Sequence, residues 1–154
     1  MIKAIIFDLD GVLVDARELH YEALNRALKK FDFTITRDEH LAVFDGLPTN
    51  KKLKLLSKNK GLSPDLYDNI WELKQYHTKN IIEQKYTYDN RIRSILSQFM
   101  EEGYKMCVCS NSIRETTKIM LERLGLVEYM EFFISNQDVQ LPKPNPQMFL
   151  HAMV

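Results

Sequence analysis

Three short apolar segments alternate with stretches of helical periodicity along the chain. The segments are residues 3–7 (KAIIF), 104–109 (YKMCVC) and 132–135 (FFIS), and they have the length and side chains that are typical of buried strands. Between and after them, apolar residues recur at the spacing of amphipathic helices. Strands that alternate with helices predict a parallel sheet whose strands are joined by right-handed crossovers.

The predicted helices fall into two groups. Four of them lie between the first and second strands, at about residues 17–30, 37–44, 49–58 and 64–82. Three more, at about residues 89–102, 112–124 and from 145 onward, flank the second and third strands. We therefore predict an α/β fold in which residues 16–86 form a helical subdomain inserted into a core made of residues 1–15 and 87–154.

Composition narrows the possible partners. The chain has 21 Lys and Arg residues and 21 Asp and Glu residues, so its formal net charge is zero, and we expect neither nucleic acid nor an anionic membrane as a partner. No apolar run approaches the ~20 residues of a transmembrane helix, and the N-terminus does not resemble a signal peptide. We predict a cytoplasmic location.

The two cysteines, Cys107 and Cys109, lie too close together in the sequence for an ordinary disulfide and are interpreted as buried, reduced thiols.

Polar residues follow each predicted strand at its carboxyl end, where open parallel sheets bind their ligands. The first strand is followed by Asp8 and Asp10, the second by Ser110, and the third leads toward Lys143. Two neighbouring carboxylates repel each other unless a cation lies between them, and Mg²⁺ suits such oxygen ligands. Ser110 and the N–H groups of the next helix offer an anion site. Together these groups predict phosphoryl transfer. The two acids alone are more typical of a simple turn after the strand.

The same residues resemble the motifs of the haloacid dehalogenase superfamily. Residues 5–15 (IIFDLDGVLVD) resemble its first motif, residues 108–112 (VCSNS) its second, and residues 141–146 (LPKPNP) its third. The helical insertion between the first two motifs is similar to the cap of the β-phosphoglucomutase-like branch. The resemblance covers the whole chain, and it implies a Rossmann-like parallel core that carries a helical cap.

The resemblance also implies a role for each motif residue. Asp8 would attack phosphorus to form an aspartyl-phosphate, and Asp10 would act first as general acid and then as general base. Ser110 would hydrogen-bond the transferring phosphoryl group, while Lys143 would neutralise charge on that group and on Asp8. Mg²⁺ would bind the Asp8 carboxylate and the backbone carbonyl of Asp10.

Five further residues are candidates for substrate binding: His20, Gly46, Asn111, Ser112 and Arg114. His20 matches a histidine of the phosphoglucomutase group that helps to orient the general acid, and a surface histidine is the alternative. Arg114 is either a ligand for a second substrate anion or a solvated helix residue. Near Gly46 the family often carries an arginine for a distal phosphate, but this chain has Thr49 and Asn50. That difference favours hydrolysis of a monophosphate over a mutase reaction.

We therefore expect a Mg²⁺-dependent phosphatase of small phosphorylated metabolites. The alternatives are a sugar-phosphate mutase and, in a different class, a non-catalytic module that binds phosphorylated ligands or proteins. The family's fourth motif, an acidic pair on a further strand, does not occur before Val154, so we interpret the chain as truncated and its sheet as incomplete. Without that strand, residues 3–7 would form an apolar sheet edge, and self-association through this edge is a further hypothesis.

Overall fold

A computed structural model describes residues 2–154 and contains a three-stranded parallel sheet. Its strands are β1 (Ala4–Phe7), β2 (Lys105–Cys109) and β3 (Phe132–Ile134), in the spatial order β1-β2-β3. Ile6 pairs with Cys107, and Cys107 in turn pairs with Phe132. The central strand β2 is the most buried of the three. The predicted α/β class and parallel sheet are confirmed, and each strand is one residue shorter than its apolar segment.

Every predicted helical stretch contains helix. The α-helices are α1 (Arg17–Lys29), α2 (Arg37–Glu39), α3 (Thr49–Lys60), α4 (Tyr67–Lys85), α5 (Asn90–Glu101), α6 (Arg114–Leu124) and α7 (Gln147–Ala152). A π-helical turn at His40–Phe44 extends α2, and 3₁₀ turns occupy Pro64–Leu66, Val127–Tyr129 and Asn136–Asp138. Among residues 2–154, no helix is both long enough and apolar enough to cross a membrane.

Local side chains fix several of the helix ends. Thr36 and Glu39 form a reciprocal capping box at the start of α2, with donor–acceptor distances of 3.1 and 2.7 Å. The Asp89 carboxylate accepts the first free N–H groups of α5. At their carboxyl ends, α3 and α6 stop at Gly61 and Gly125, whose φ angles of 72° and 68° suit glycine.

The chain divides into two compact units. One unit contains the described residues up to Ala16 together with Ile82–Val154, and the other is the helical segment Arg17–Ile81. The predicted domains, a core of residues 1–15 and 87–154 and a helical segment of residues 16–86, stay a prediction. The compact units differ from them in placing Ala16 and residues 82–86 with the sheet.

Hydrogen bonds explain why the end of α4 belongs to the sheet unit. The Arg123 guanidinium donates to the backbone oxygens of Glu83 and Tyr86, at 2.8 and 3.0 Å. The Tyr86 hydroxyl donates to the Asp15 backbone oxygen at 3.2 Å. These bonds tie the end of α4 to both α6 and the segment after β1, which the helical periodicity of the sequence cannot reveal.

Each unit has its own apolar core. In the helical unit the core residues are Leu24, Ala27, Leu28, Ile35, Phe44, Leu53, Leu56, Leu62 and Ile70. In the sheet unit Met148 of α7 packs against Cys109 and Ile134.

Both cysteines are free and buried, as predicted, and burial raises the pKa of the Cys109 thiol to about 11. Among the described residues β1 pairs only with β2, so self-association through its outer edge stays a prediction.

One buried polar residue stabilises the helical unit. The Asn25 side chain donates to the Ile35 backbone oxygen at 3.0 Å and accepts from the Ile35 N–H at 2.9 Å. Because Asn25→Ala leaves both backbone groups without partners, we expect it to lower the free energy of unfolding by about 2–4 kcal/mol. Urea denaturation measures this loss. Asn59→Ala, at an exposed position of α3, is the control, and a loss no larger than the control's would contradict the assignment.

Candidate active site

An ion pair joins the end of β1 to the segment that follows β3. Lys143 Nζ lies 2.6 Å from Asp8 Oδ1 and also donates to the Cys109 backbone oxygen at 2.8 Å. The Lys143 side chain is 14% exposed and that of Asp8 is 43% exposed. The carboxylate is therefore open to solvent while the lysine that holds it is largely enclosed.

The turn after β1 positions the two acids. The Leu9 N–H donates to Asp8 Oδ1 at 2.7 Å, and the Gly11 N–H donates to the Val14 backbone oxygen at 2.7 Å. Gly11 has a φ of 84°, a conformation that costs glycine little and other residues more. The resulting loop is closed by a bridge between Asp10 and Val14. Asp8 and Asp10 are thus held on one tight turn at the carboxyl edge of the sheet.

Two serines after β2 connect that strand to its neighbours. Ser110 is buried, and its N–H donates to the Ile134 backbone oxygen of β3 at 2.9 Å. The Ser112 N–H donates to Ser110 Oγ at 3.0 Å, and Ser112 Oγ donates to Asp10 Oδ2 at 3.3 Å. Ser112 therefore contacts one of the predicted catalytic acids.

Asn111, between these serines, holds the Lys143 backbone. Its Nδ2 donates to the Lys143 backbone oxygen, and its Oδ1 accepts from the Lys143 N–H, both at 2.9 Å. The structure thus gathers six of the predicted residues at the carboxyl edge of the sheet: Asp8, Asp10, Ser110, Asn111, Ser112 and Lys143.

Arg114 has protein partners of its own. Its guanidinium forms an ion pair with Asp138 and lies 5.7 Å from the centre of the Phe133 ring. Its backbone N–H donates to Gln137 Oε1 at 2.8 Å. Asp138 is in turn fixed by the Ser135 N–H and hydroxyl, at 2.8 and 2.6 Å. In this structure Arg114 orders the loop after β3, and its predicted contact with a substrate anion stays a prediction.

The remaining two predicted residues belong to the helical unit. His20 lies on α1, and Gly46 lies between the π-helical turn and α3 with a φ of 70°. The positive φ explains why glycine is suited to this turn. Their predicted roles in substrate binding stay predictions.

The helical unit also buries three basic side chains that the sequence reasoning missed, His40, Lys52 and Lys74. His40 is 2% exposed, and both of its ring nitrogens lack hydrogen-bond partners among the described residues. Burial lowers the pKa of His40, and the charge of Lys52 lowers it further. Lys52 is 6% exposed, and burial lowers its pKa to about 8, although Asp45 acts in the opposite direction. The sequence signal that could have indicated the burial of Lys52 is its position on the face of α3 that also buries Leu53 and Leu56.

The chemistry of the strand-end residues fits Mg²⁺. Asp8 and Asp10 supply oxygen ligands, and Mg²⁺ is commonly held by one or two carboxylates with water and substrate phosphate completing its shell. The nearby Cys109 thiol has its pKa raised to about 11, so it stays protonated and offers no thiolate. Within residues 2–154 there is no cluster of three or more His, Cys, Asp or Glu side chains that suits a metal.

The family is defined by comparison with known proteins. The family model for haloacid dehalogenase-like hydrolases matches residues 5–154. The chain therefore belongs to the haloacid dehalogenase-like hydrolases, which confirms the resemblance of its three motifs.

Individual relatives agree with this membership. The chain is 24% identical to a phosphorylated carbohydrates phosphatase of Thermotoga maritima, over 96% of this chain and 68% of that protein. It is 29% identical to the β-phosphoglucomutase of Bacillus subtilis, over 97% of this chain and 68% of that protein. The chain thus spans about two-thirds of the length of these relatives.

Solved structures share the fold. The crystal structure of CbbY from Rhodobacter sphaeroides in complex with phosphate has a TM-score of 0.85 at 19% identity, and the match covers 99% of this chain and 72% of that chain. At this identity the likeness establishes the fold alone. It confirms a haloacid dehalogenase-type parallel core with a helical cap.

The buried lysine leads to a stability prediction. Lys52→Met removes a buried charge, so we expect the variant to be more stable than the wild type by about 1–3 kcal/mol near neutral pH. Between pH 8 and 10.5 the folded wild type loses a proton that its unfolded chain still binds. The stability contribution of wild-type Lys52 therefore rises with pH, and the advantage of the variant shrinks.

Urea denaturation across this pH range measures the effect. Lys54→Met, at an exposed position on the same helix, is the matched control and should change stability by less than about 0.5 kcal/mol. A Lys52→Met variant that is less stable than the wild type near neutral pH would contradict this prediction. It would show that neighbouring groups stabilise the buried lysine charge by more than its burial costs.

Proposed function

We propose that the residues at the strand ends form the active site of a Mg²⁺-dependent phosphatase that acts on small phosphorylated metabolites. The observation that carries this proposal is the 2.6 Å contact between Lys143 Nζ and Asp8 Oδ1. It sets a fixed positive charge beside the carboxylate oxygen that would receive the phosphoryl group. The Thermotoga maritima relative, a phosphatase of phosphorylated carbohydrates, supports a substrate of the sugar-phosphate type.

In this reaction Asp8 is the nucleophile. A bond forms between its carboxylate oxygen and phosphorus while the bond from phosphorus to the ester oxygen breaks. Asp10 gives a proton to the departing oxygen. It later takes a proton from the water that attacks phosphorus, while the bond between phosphorus and the Asp8 oxygen breaks to give inorganic phosphate and the free carboxylate. The 3.3 Å hydrogen bond from Ser112 orients the Asp10 carboxyl group for both transfers.

Ser110 and Lys143 stabilise the transferring group. Ser110 Oγ accepts the Ser112 N–H, and no hydrogen bond from its O–H occurs among residues 2–154, so this O–H can donate to a phosphoryl oxygen. The Lys143 ammonium offsets the negative charge that develops between that group and Asp8. The Asp8 carboxylate and the Asp10 backbone carbonyl would hold Mg²⁺, which when bound offsets negative charge on the phosphate oxygens.

A sugar-phosphate mutase is the second candidate. The observation that favours it is the 29% identity to the β-phosphoglucomutase of Bacillus subtilis. Thr49 and Asn50 stand where a residue for a distal phosphate is expected, which favours the phosphatase. A mutase would isomerise a sugar 1-phosphate without net release of phosphate. A non-catalytic binding module would bind such a compound and leave it unchanged.

Replacement of the nucleophile tests the phosphatase proposal. We expect Asp8→Asn to reduce phosphate release from a panel of phosphate monoesters by at least about a thousandfold, since the amide cannot form the acyl-phosphate. Asp65→Asn, at an exposed position of the helical unit, is the matched control and should keep wild-type activity. Equal rates for Asp8→Asn and the wild type would exclude Asp8 as the nucleophile.

Removal of the metal tests the cofactor. Treatment with EDTA should abolish phosphate release, and added Mg²⁺ should restore it, because the Lys143 ammonium offsets only part of the negative charge of Asp8 and a phosphate dianion. Stopped assays with and without the chelator measure the effect. A rate that is unchanged after chelation would rule out a role for Mg²⁺.

A further inference from the structure

The Asn111 amide uses both of its polar groups on one residue of a distant segment. Nδ2 donates to the Lys143 backbone oxygen, and Oδ1 accepts from the Lys143 N–H, so the two bonds of 2.9 Å form a closed bracket. Asn111 and Lys143 are 32 residues apart. The bracket therefore connects the end of β2 directly to the segment after β3.

The bracket holds the backbone of Lys143, and other hydrogen bonds hold the ammonium group at the far end of the same side chain. Lys143 Nζ donates to Asp8 Oδ1 at 2.6 Å and to the Cys109 backbone oxygen at 2.8 Å. A lysine has a flexible four-carbon stem and loses much rotamer freedom when its ammonium is held in one place. Fixing the backbone at the base reduces the range of positions that the ammonium can reach.

Apart from the bonds of Lys143 itself, the hydrogen bonds of residues 141–147 are local. The Asn145 N–H donates to the Pro142 backbone oxygen at 3.1 Å, and the Leu141 N–H donates to Gln147 Oε1 at 2.8 Å. These bonds shape the loop itself but do not connect it to β2. The Asn111 bracket is what ties the Lys143 backbone to the residues directly after β2, which include Ser110.

We propose that Asn111 is a positioning residue for Lys143, in place of the substrate-binding role first predicted for it. This inference rests on the proposed phosphatase function, because it assigns Asn111 an effect on catalysis through the Lys143 ammonium. Displacement of a catalytic group by about 1 Å can reduce a rate by about a hundredfold. The loss in Asn111→Ala should therefore appear mainly in kcat and scarcely in KM.

A double-mutant cycle in the full chain tests the inference. We expect Asn111→Ala to lower kcat about 10- to 100-fold with less than a twofold change in KM. In a Lys143→Met background the same substitution should change kcat less than about twofold, because no ammonium remains to be positioned. Asn111→Asp keeps the acceptor for the Lys143 N–H and should recover part of the loss. Asn90→Ala, at an exposed position of the sheet unit, is the matched control.

The opposite pattern would overturn the inference. If the effects of Asn111→Ala and Lys143→Met multiply independently, or if Asn111→Ala raises KM and leaves kcat unchanged, Asn111 acts on the substrate and not through Lys143. A loss in the Asn90→Ala control equal to that in Asn111→Ala would also overturn it.

One readout does not depend on turnover. Hydrogen exchange at the Lys143 amide should be faster in Asn111→Ala than in the wild type, and slower in Asn111→Asp than in Asn111→Ala. An unchanged exchange rate in Asn111→Ala would overturn the positioning role. Altered exchange together with full activity in Asp8→Asn would instead refute the phosphatase proposal and leave the bracket intact.

Discussion

The contact between Lys143 and Asp8 is the interaction on which the strand-end arrangement depends. It joins the segment after β3 to the end of β1, and the same ammonium donates to the backbone at the end of β2. Asp8 is 43% exposed, so solvent screens the pair. Its importance therefore lies in geometry: one enclosed cation fixes the carboxylate that the proposed reaction requires.

Further hydrogen bonds connect this ion pair to the other residues at the carboxyl ends of the strands. Ser110 bonds to the backbone of β3, Ser112 contacts Asp10, and Asn111 holds the Lys143 backbone. Three consecutive residues after one central strand thus reach both neighbouring strand ends. This follows from the order β1-β2-β3, because parallel strands bring their carboxyl ends to a common edge.

The sequence was sufficient to predict the parts of the structure that depend on periodicity and local turns. The apolar segments located the strands, and the polar residues that follow them located the site edge. Periodicity does not report which partner a polar side chain meets, so the sequence could not show that Asn111 faces a backbone or that Arg114 pairs with Asp138. The burial of Lys52 was missed for a related reason, since a long charged side chain on a helix is usually exposed.

The central claim is that Asp8 carries the phosphoryl group during turnover. Rapid acid quenching of the enzyme with a phosphate monoester, followed by peptide mapping by mass spectrometry, tests it most directly. The account predicts a phosphoryl group on the peptide that contains Asp8, and no such group when Asp8→Asn is treated in the same way. Hydrolysis of the ester with no label on Asp8, or with the label on another residue such as Ser110, would contradict it.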